Sequence, residues 1–442
     1  MKEEKNQATN LAPRPESLPI LIIGAGISGL ILAQYLRRSG IAYQIFERDA
    51  SISARAGGWG LTMHWALPAL YELLPEDVKV QLPESFVNKE AVQNGDKGRY
   101  QFFDLATGEA LCSVPAAERI RVSRSRFRQL LTTGVDVQWS KTLEDVQYHD
   151  DSVTVRFGDG TSYHGAIVVA CDGSHSRVRK SLYPSNYRNA PLPIQLLGAS
   201  TRYSVEQAAA VRALDPYFFQ GTHSESNVYL YFSCELPSRY RDHMYLSQYE
   251  NKRTPSDIIE IPVLDSPFNF DDSPDGYLCQ VIVSWSEDRG IDIPAGDKER
   301  IALMKSLTGD WAEPFRSLVH DLPDDADVVS IKIEDWMQEQ GTNEQPRAVL
   351  LGDSAHSMTM FRGEGANNAI VDVLDFTRRV NLASISQSST ASIRDSVREY
   401  EKDMTSRAGQ SVENSRKACL DAHNFSIIKA GNSPLVARRV LK

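Results

Sequence analysis

The sequence predicts an α/β fold: a Rossmann-like parallel sheet, an inserted antiparallel sheet, and C-terminal helices. Three observations predict it. Residues 18–47 read as a buried strand, a glycine-rich turn, an amphipathic run and a second strand closing on Glu47. Two later apolar runs, 166–170 and 347–351, do not alternate, as strands buried on both faces do not. Between them, from about residue 186 to 335, strand-like alternation is broken by Asp- and Pro-rich loops.

The first 17 residues are polar and carry Pro13 and Pro15, which suits a disordered leader rather than a signal peptide. In the next stretch each glycine has a task. Gly24 makes a tight turn, Gly26 lets backbone approach a pyrophosphate, and Gly29 lets the helix sit close to the sheet. The helix N-terminus favours phosphate, and Glu47 falls where adenosine ribose hydroxyls would lie. The competing reading is a plain βαβ crossover with glycines for packing.

Gly57, Gly58 and Gly60 mark an irregular segment that approaches something closely. A helix follows from about Pro68, with Leu70, Leu73 and Leu74 on one face. Residues 98–112 suggest a hairpin turning at Thr107 and Gly108. Ser123 is placed to cap a helix carrying Phe127, Leu130 and Leu131, with Arg126 and Arg128 on a solvated face. Val153, Val155 and Phe157 alternate before a turn at 158–160, and Tyr163 begins the return. The 166–170 strand ends at Cys171, Asp172 and Gly173, where open α/β sheets bind ligands.

In the middle region, 227–233, 277–285 and 328–333 read as strands. Ile301, Met304, Leu307, Trp311, Phe315 and Leu318 mark one amphipathic helix. The 347–351 strand ends at Gly352 and Asp353. Gly363 and Gly365 then open a helix running through Asp372. From about 390, Ile393, Val397, Tyr400, Met404, Ala408 and Val412 keep helical spacing, ahead of a basic tail of uncertain order.

A chain of 442 residues exceeds one compact core, so two domains are expected. A net charge of −10 argues against nucleic-acid or anionic-membrane partners. The five cysteines are scattered, without metal-ligand spacing or a disulfide framework, which fits a reducing cytosol. Residues 18–36 are apolar enough to be mistaken for a membrane span, but their glycines and the following strand argue against one, and no other apolar run approaches the roughly 18–20 residues a span needs.

In this order and spacing, Gly24-x-Gly26-x-x-Gly29 with Glu47, Asp172-Gly173 and Gly352-Asp353 resemble the three fingerprints of class A (single-component) FAD-dependent monooxygenases. This is the para-hydroxybenzoate and salicylate hydroxylase-like family, of the type found in fungal secondary metabolism. The resemblance spans about residues 18–420 and is weakest in the middle sheet. It implies a GR2-type FAD-binding domain made of 18–85, 116–185 and 340–380. It implies a substrate domain of 86–115 and 186–339, then helices and a tail over 381–442. It assigns Gly24, Gly26, Gly29, Glu47, Gly60, Arg124, Asp172, Asp353, Gly363, Gly365, Ala366 and Asn367 to FAD. NAD(P)H would reduce the flavin. O2 would then form a C4a-hydroperoxide that an electron-rich substrate, such as a polyketide or indole alkaloid, attacks.

Two departures stand out: Met360 replaces the family's usual proline, and Cys171 precedes Asp172, where a smaller residue is usual. Cys171 reads as a buried small residue. Arg202, Tyr203, Tyr229, Tyr231 and Trp285 lie on middle-sheet strands. Arg202 with Tyr229 or Tyr231 are the candidate catalytic groups, since a cation or tyrosine favours phenolate. His64 is a candidate flavin or substrate neighbour; His356 reads as structural and His175 as solvent-facing. A Baeyer–Villiger oxygenase, a flavoprotein oxidase or reductase, and a non-enzymatic nucleotide-binding module are alternatives. A halogenase is disfavoured, because Trp285 is followed by Ser, Glu and Asp. The expected partners are an aromatic small molecule and O2, with the chain a monomer or homodimer.

Overall fold

The computed structural model describes residues 18–437, apart from 55–59, 90–91, 93–94, 96–99, 115–118 and 236–275. The polar leader, Gly57, Gly58 and most of the 271–276 loop therefore lie outside the described residues.

A five-stranded parallel sheet forms the first layer. Its order is Ala348–Leu350, Ile167–Ala170, Ile20–Ile23, Tyr43–Phe46 and Val137–Gln138. The central strand, Ile20–Ile23, is buried throughout, which is why its sequence does not alternate. Helix Ile27–Arg38 leaves it through Gly24 and buries Leu30, Ile31 and Leu36, with Arg37 and Arg38 in the last turn, where the helix dipole favours cations. Helices Arg124–Leu131 and Gly365–Arg379 pack on the same side. A three-stranded meander, Leu143–Tyr148, Val153–Phe157 and Ser162–Gly165, flanks this core, and its middle strand does alternate.

The second layer is a seven-stranded sheet. Its order is Val328–Ser330, Ile194–Tyr203, Tyr277–Ser286, Tyr229–Glu235, Phe218–Thr222, Tyr100–Asp104 and Ala110–Val114. All pairings are antiparallel except that between Phe218–Thr222 and Tyr100–Asp104. Its strands have period-2 faces. Leu230, Phe232, Val281 and Val283 join a core capped by helices Val205–Leu214, Asp297–Leu307 and Phe315–His320. Tyr229, Tyr231 and Ile282 face the other way, toward Phe361 and the C-terminal segment.

Three elements differ from expectation. The single helix over 301–318 is two helices, Asp297–Leu307 and Phe315–His320. Gly309 weakens the run and Pro314 cannot donate a helical hydrogen bond. The strand at 328–333 stops at Ser330, and Glu334–Met337 joins a separate small sheet. The tail is ordered through residue 437. Helix Thr390–Asp421 is followed by helix Phe425–Lys429, and Leu435 and Val436 are buried in the cluster around Phe361. Among the described residues no helix is long and apolar enough to cross a membrane.

Candidate active site

A cavity of about 1700 Å³ runs from the glycine turn to the seven-stranded sheet. At one end Gly24 has a φ of +102°, and a Cβ there would sit 2.3 Å from the Cys171 carbonyl oxygen. A Cβ on Gly29 would sit 2.0 Å from the Gly24 carbonyl oxygen. Neither position admits a side chain. Gly26 is different: the nearest atom to its Cβ position is 3.9 Å away, so its backbone is open to the cavity. Helix Ile27–Arg38 starts there without a side-chain cap, leaving its first N–H groups available to an anion.

Glu47 is buried. Its Oε2 accepts the Ala25 N–H at 2.8 Å and its Oε1 accepts the Asp49 N–H at 3.1 Å. The carboxylate thus braces the glycine turn while lining the cavity. Arg128, expected in solvent, is buried. Its Nε donates to the Ala25 carbonyl at 2.8 Å and its guanidinium lies 3.6 Å from Glu47. Arg126 is also largely sheltered, 3.5 Å from Glu235. The missed signal was spacing: Arg124 and Arg128 are four apart, so both lie on the helix face that fronts the cavity. Ser123 sits at the N-cap position, but its hydroxyl pairs with Ser125 Oγ instead of capping a backbone N–H.

Asp172 follows strand Ile167–Ala170 and lines the cavity. Its Oδ2 accepts the Arg177 N–H at 2.7 Å, whereas its buried Oδ1 has no hydrogen-bond partner. Burial pushes the carboxyl above the usual range, with Ser176 pulling it back. Beside it, burial also pushes the Cys171 thiol up, so that sulfur is a poor nucleophile.

Asp353 also lines the cavity, behind Gly352 at φ +62°. It is open to the cavity yet sunk in protein mass. Burial therefore raises its carboxyl pKa, against the pull of His356 and Arg124. The turn is held from behind by Asp372, which is fully buried. Asp372 Oδ2 accepts the Gly352 N–H at 2.8 Å and meets His356 Nε2 at 2.5 Å; Oδ1 accepts from Arg407 at 2.8 Å. Burial works against the Asp372 charge, but His356 and Arg407 outweigh it and hold the carboxyl at about 2. His356 is thus a buried structural partner, while His175 is exposed at the cavity edge.

Gly363, Gly365 and Ala366 line the cavity where helix Gly365–Arg379 begins, again without a side-chain cap. Asn367 does not line it. Its Nδ2 donates to the Thr62 carbonyl at 2.9 Å and its Oδ1 accepts the His64 N–H at 3.1 Å. Asn367 therefore ties the helix start to strand Gly60–Met63, whose Gly60, Thr62 and neighbouring His64 do line the cavity.

The three candidate catalytic groups separate. Tyr231 lines the cavity. Tyr229 shares its sheet face but is fully buried, with its ring 5.0 Å from Phe361 and 5.9 Å from His423. Arg202 lies near the far end of strand Ile194–Tyr203, paired with Leu278, and does not line the cavity. Tyr203 and Trp285 belong to the opposite face of the sheet. The cavity roof instead holds Tyr100, Arg119, Arg121, Phe218 and Gln220, none of which the sequence reading singled out. Arg121 had a signal. In strand Ile120–Ser123 it alternates with core Ile120 and Val122, so it faces away from that core.

The geometry fits FAD. It offers two uncapped helix starts, a glycine cradle no side chain can enter, and an orphaned buried acceptor on Asp172. Among the described residues no group of acidic, His and Cys side chains could hold a metal.

Comparison with known proteins agrees. The FAD binding domain family matches residues 17–206. A probable FAD-dependent monooxygenase of Arthroderma benhamiae is 39% identical over 438 residues, covering 95% of each chain. The FAD-dependent monooxygenase dbaB of Emericella nidulans is 34% identical over 389 residues, covering 86% of this chain and 91% of its own. Among solved structures, Klebsiella pneumoniae HpxO complexed with FAD and uric acid superposes with a TM-score of 0.66 at 20% identity. That match covers 94% of this chain and 91% of HpxO, and establishes likeness of fold.

Proposed function

This chain belongs to the FAD-dependent monooxygenase family, and we propose that it uses NAD(P)H and O2 to hydroxylate or epoxidise an aromatic or otherwise electron-rich small molecule. The observation that carries the proposal is one cavity joining the glycine turn at Gly24, the Asp353 turn, the uncapped helix start at Gly365 and an aromatic roof. At about 1700 Å³ it exceeds the roughly 300–1,000 Å³ typical of a pocket for one drug-sized ligand, so cofactor and substrate fit together.

Bound FAD would supply hydride acceptance and O2 activation. The chain's own residues bind, orient and exclude water. Gly26 would bring open backbone to the pyrophosphate at the first helix, Gly24 and Gly29 shape the turn and its packing, and Glu47 would lie toward ribose. Arg124 suits phosphate or ribityl oxygens, Asp172 offers its unpaired acceptor, and Asp353 suits ribityl hydroxyls. Gly365 and Ala366 would present backbone N–H groups where negative charge on the reduced ring would collect, while the Gly363 N–H is taken by the Met360 carbonyl. Tyr231 and the other roof residues face the substrate. We assign 18–85, 116–185 and 340–380 to cofactor binding, 86–115 and 186–339 to the roof, and polyketide-like aromatics to the substrate class.

The test is purification followed by anaerobic titration with NADPH and NADH, then oxygenation in ¹⁸O2 with candidate aromatics. Flavin bleaching and one labelled oxygen in the product support the proposal. Stoichiometric hydrogen peroxide with no labelled product for any candidate would replace it with an oxidase.

A further inference from the structure

Two of the five cysteines face each other across the seven-stranded sheet. Cys234, on strand Tyr229–Glu235, stands directly opposite Cys279, on strand Tyr277–Ser286. The backbone tells which kind of pair this is. The Cys234 N–H donates at 3.1 Å to the Tyr217 carbonyl, on the side away from Cys279. In an antiparallel ladder a residue's N–H and C=O point the same way, so Cys234 and Cys279 form a non-hydrogen-bonded pair. Such a pair brings its Cα atoms to about 4.5 Å, inside the roughly 4.4–6.8 Å span of a disulfide, and its side chains closer than elsewhere in the ladder. Both side chains lie in the core with Ala208 and Val211 of helix Val205–Leu214, on the sheet face away from the cavity.

The surroundings favour oxidation. The two thiols are hydrogen-bonded to each other, and Arg212 lies beside Cys234, stacked 4.1 Å from the Tyr277 ring centroid. The Cys279 thiol, aided by Arg212, pulls the Cys234 thiol below its usual range against burial and Glu235. Burial pushes the Cys279 thiol up. Both residues are buried, so the oxidant must be small. The pair also sits at the end of its ladder, with Glu235 and Leu278 the last partners beyond it, and strand ends open most readily.

We propose that Cys234 and Cys279 are a redox-active dithiol, which hydrogen peroxide converts reversibly to a cross-strand disulfide. The Cys234 thiolate attacks one peroxide oxygen, the O–O bond breaks, and a sulfenic acid and hydroxide form. The Cys279 sulfur then attacks the Cys234 sulfur. The S–S bond forms, the S–O bond breaks, and a second hydroxide leaves. The two thiol protons convert both hydroxides to water. Two thiols and one peroxide thus give one disulfide and two waters, and sulfur loses the two electrons that peroxide gains. Cellular thiols reverse the step, as suits a transient disulfide in a reducing compartment. The bond ties the strand carrying Tyr231 to its neighbour, one residue from Glu235, which lies 3.5 Å from Arg126 of helix Arg124–Leu131. The local source of peroxide, a reduced flavin that O2 reoxidises without oxygenating substrate, rests on the monooxygenase reading above; the dithiol does not.

The experiment exposes the purified native chain, reduced and freed of reductant, to graded hydrogen peroxide. Remaining thiols are then blocked with N-ethylmaleimide in denaturant, and peptides are mapped without reduction. A Cys234–Cys279 linked peptide, two hydrogens lighter than the separate thiol peptides, should be the main cystine, and dithiothreitol should remove it. In Cys279→Ser, Cys234 should stop at the sulfenic acid, which dimedone traps. Cys234→Ser should give neither a link nor a dimedone adduct at Cys279. Arg212→Met should slow the link severalfold in otherwise native protein. Both thiols intact at a dose that fully oxidises glutathione in a parallel tube would overturn the proposal. So would linkage chiefly through Cys112, Cys171 or Cys419, or a link that forms only in denaturant. A chain that purifies without FAD would sink the monooxygenase reading and leave this peptide map readable.

Discussion

Asp372→Asn should destabilise the protein and loosen its hold on FAD together. Asp372 serves three donors, with Gly352 N–H and His356 on Oδ2 and Arg407 on Oδ1. Asparagine offers one accepting oxygen, so its NH2 must face at least one of these donors and orphan it. The magnitude follows from the charge. A carboxyl held at about 2 instead of an unfolded value near 3.9 contributes roughly 2.5 kcal/mol at neutral pH. Removing one partner of a buried pair costs about 3–5 kcal/mol, so the two routes agree in scale. Because the folded pKa is depressed, the contribution is full above about pH 4 and is lost as pH falls toward 2. The assay is thermal unfolding of wild type and variant at pH 7 and pH 3, with FAD content measured after gel filtration. The variant should melt about 3–5 °C lower at pH 7, and the gap should narrow at pH 3. A variant melting with wild type at pH 7 and retaining full FAD would refute the claim that this network holds the Gly352–Asp353 turn.

Further perturbations read separate parts of the site. Gly29→Ala forces a Cβ onto the Gly24 carbonyl, so it should cost about 1–3 kcal/mol or more and lower FAD occupancy; an unchanged melt would contradict the close packing. Asp353→Asn should weaken FAD binding yet raise the apoprotein's melting temperature at pH 7. Its folded carboxyl pKa is raised, so ionisation at neutral pH opposes folding; a destabilised apoprotein would reverse that sign. Asn367→Ala unties strand Gly60–Met63 from the Gly365 helix. It should cost about 1–3 kcal/mol by orphaning the His64 N–H, as denaturant unfolding would show. Cys171 should resist iodoacetamide in the native protein, since burial keeps its thiol protonated; rapid native labelling would contradict that.

The cofactor half of the fold was legible because its signals are local. A strand buried on both faces must be apolar throughout, and a glycine cradle leaves its spacing in the chain. The roof was less legible because its signals are long-range. Tyr229 and Tyr231 are indistinguishable by alternation. Only Phe361 and His423, arriving from far along the chain, bury one and leave the other at the cavity. Arg202 shows the same limit. Its strand has ten residues, about 33 Å at ~3.3 Å each, and the cavity touches only part of the sheet. Arg128 was placed in solvent because charge is usually exposed, but Ala25, Glu47 and Asp49 give it partners from other elements. The break at Gly309 and Pro314 was readable, and apolar spacing hid it.

The central claim is a flavin site that NAD(P)H can reduce and O2 can reoxidise. The most direct measurement is the visible spectrum of the purified chain, followed through anaerobic addition of NADPH or NADH and then admission of O2. The account predicts about one FAD per chain, bleached by at least one nicotinamide and restored by O2. A colourless protein that takes up no added FAD, or bound flavin that neither nicotinamide reduces, would contradict it.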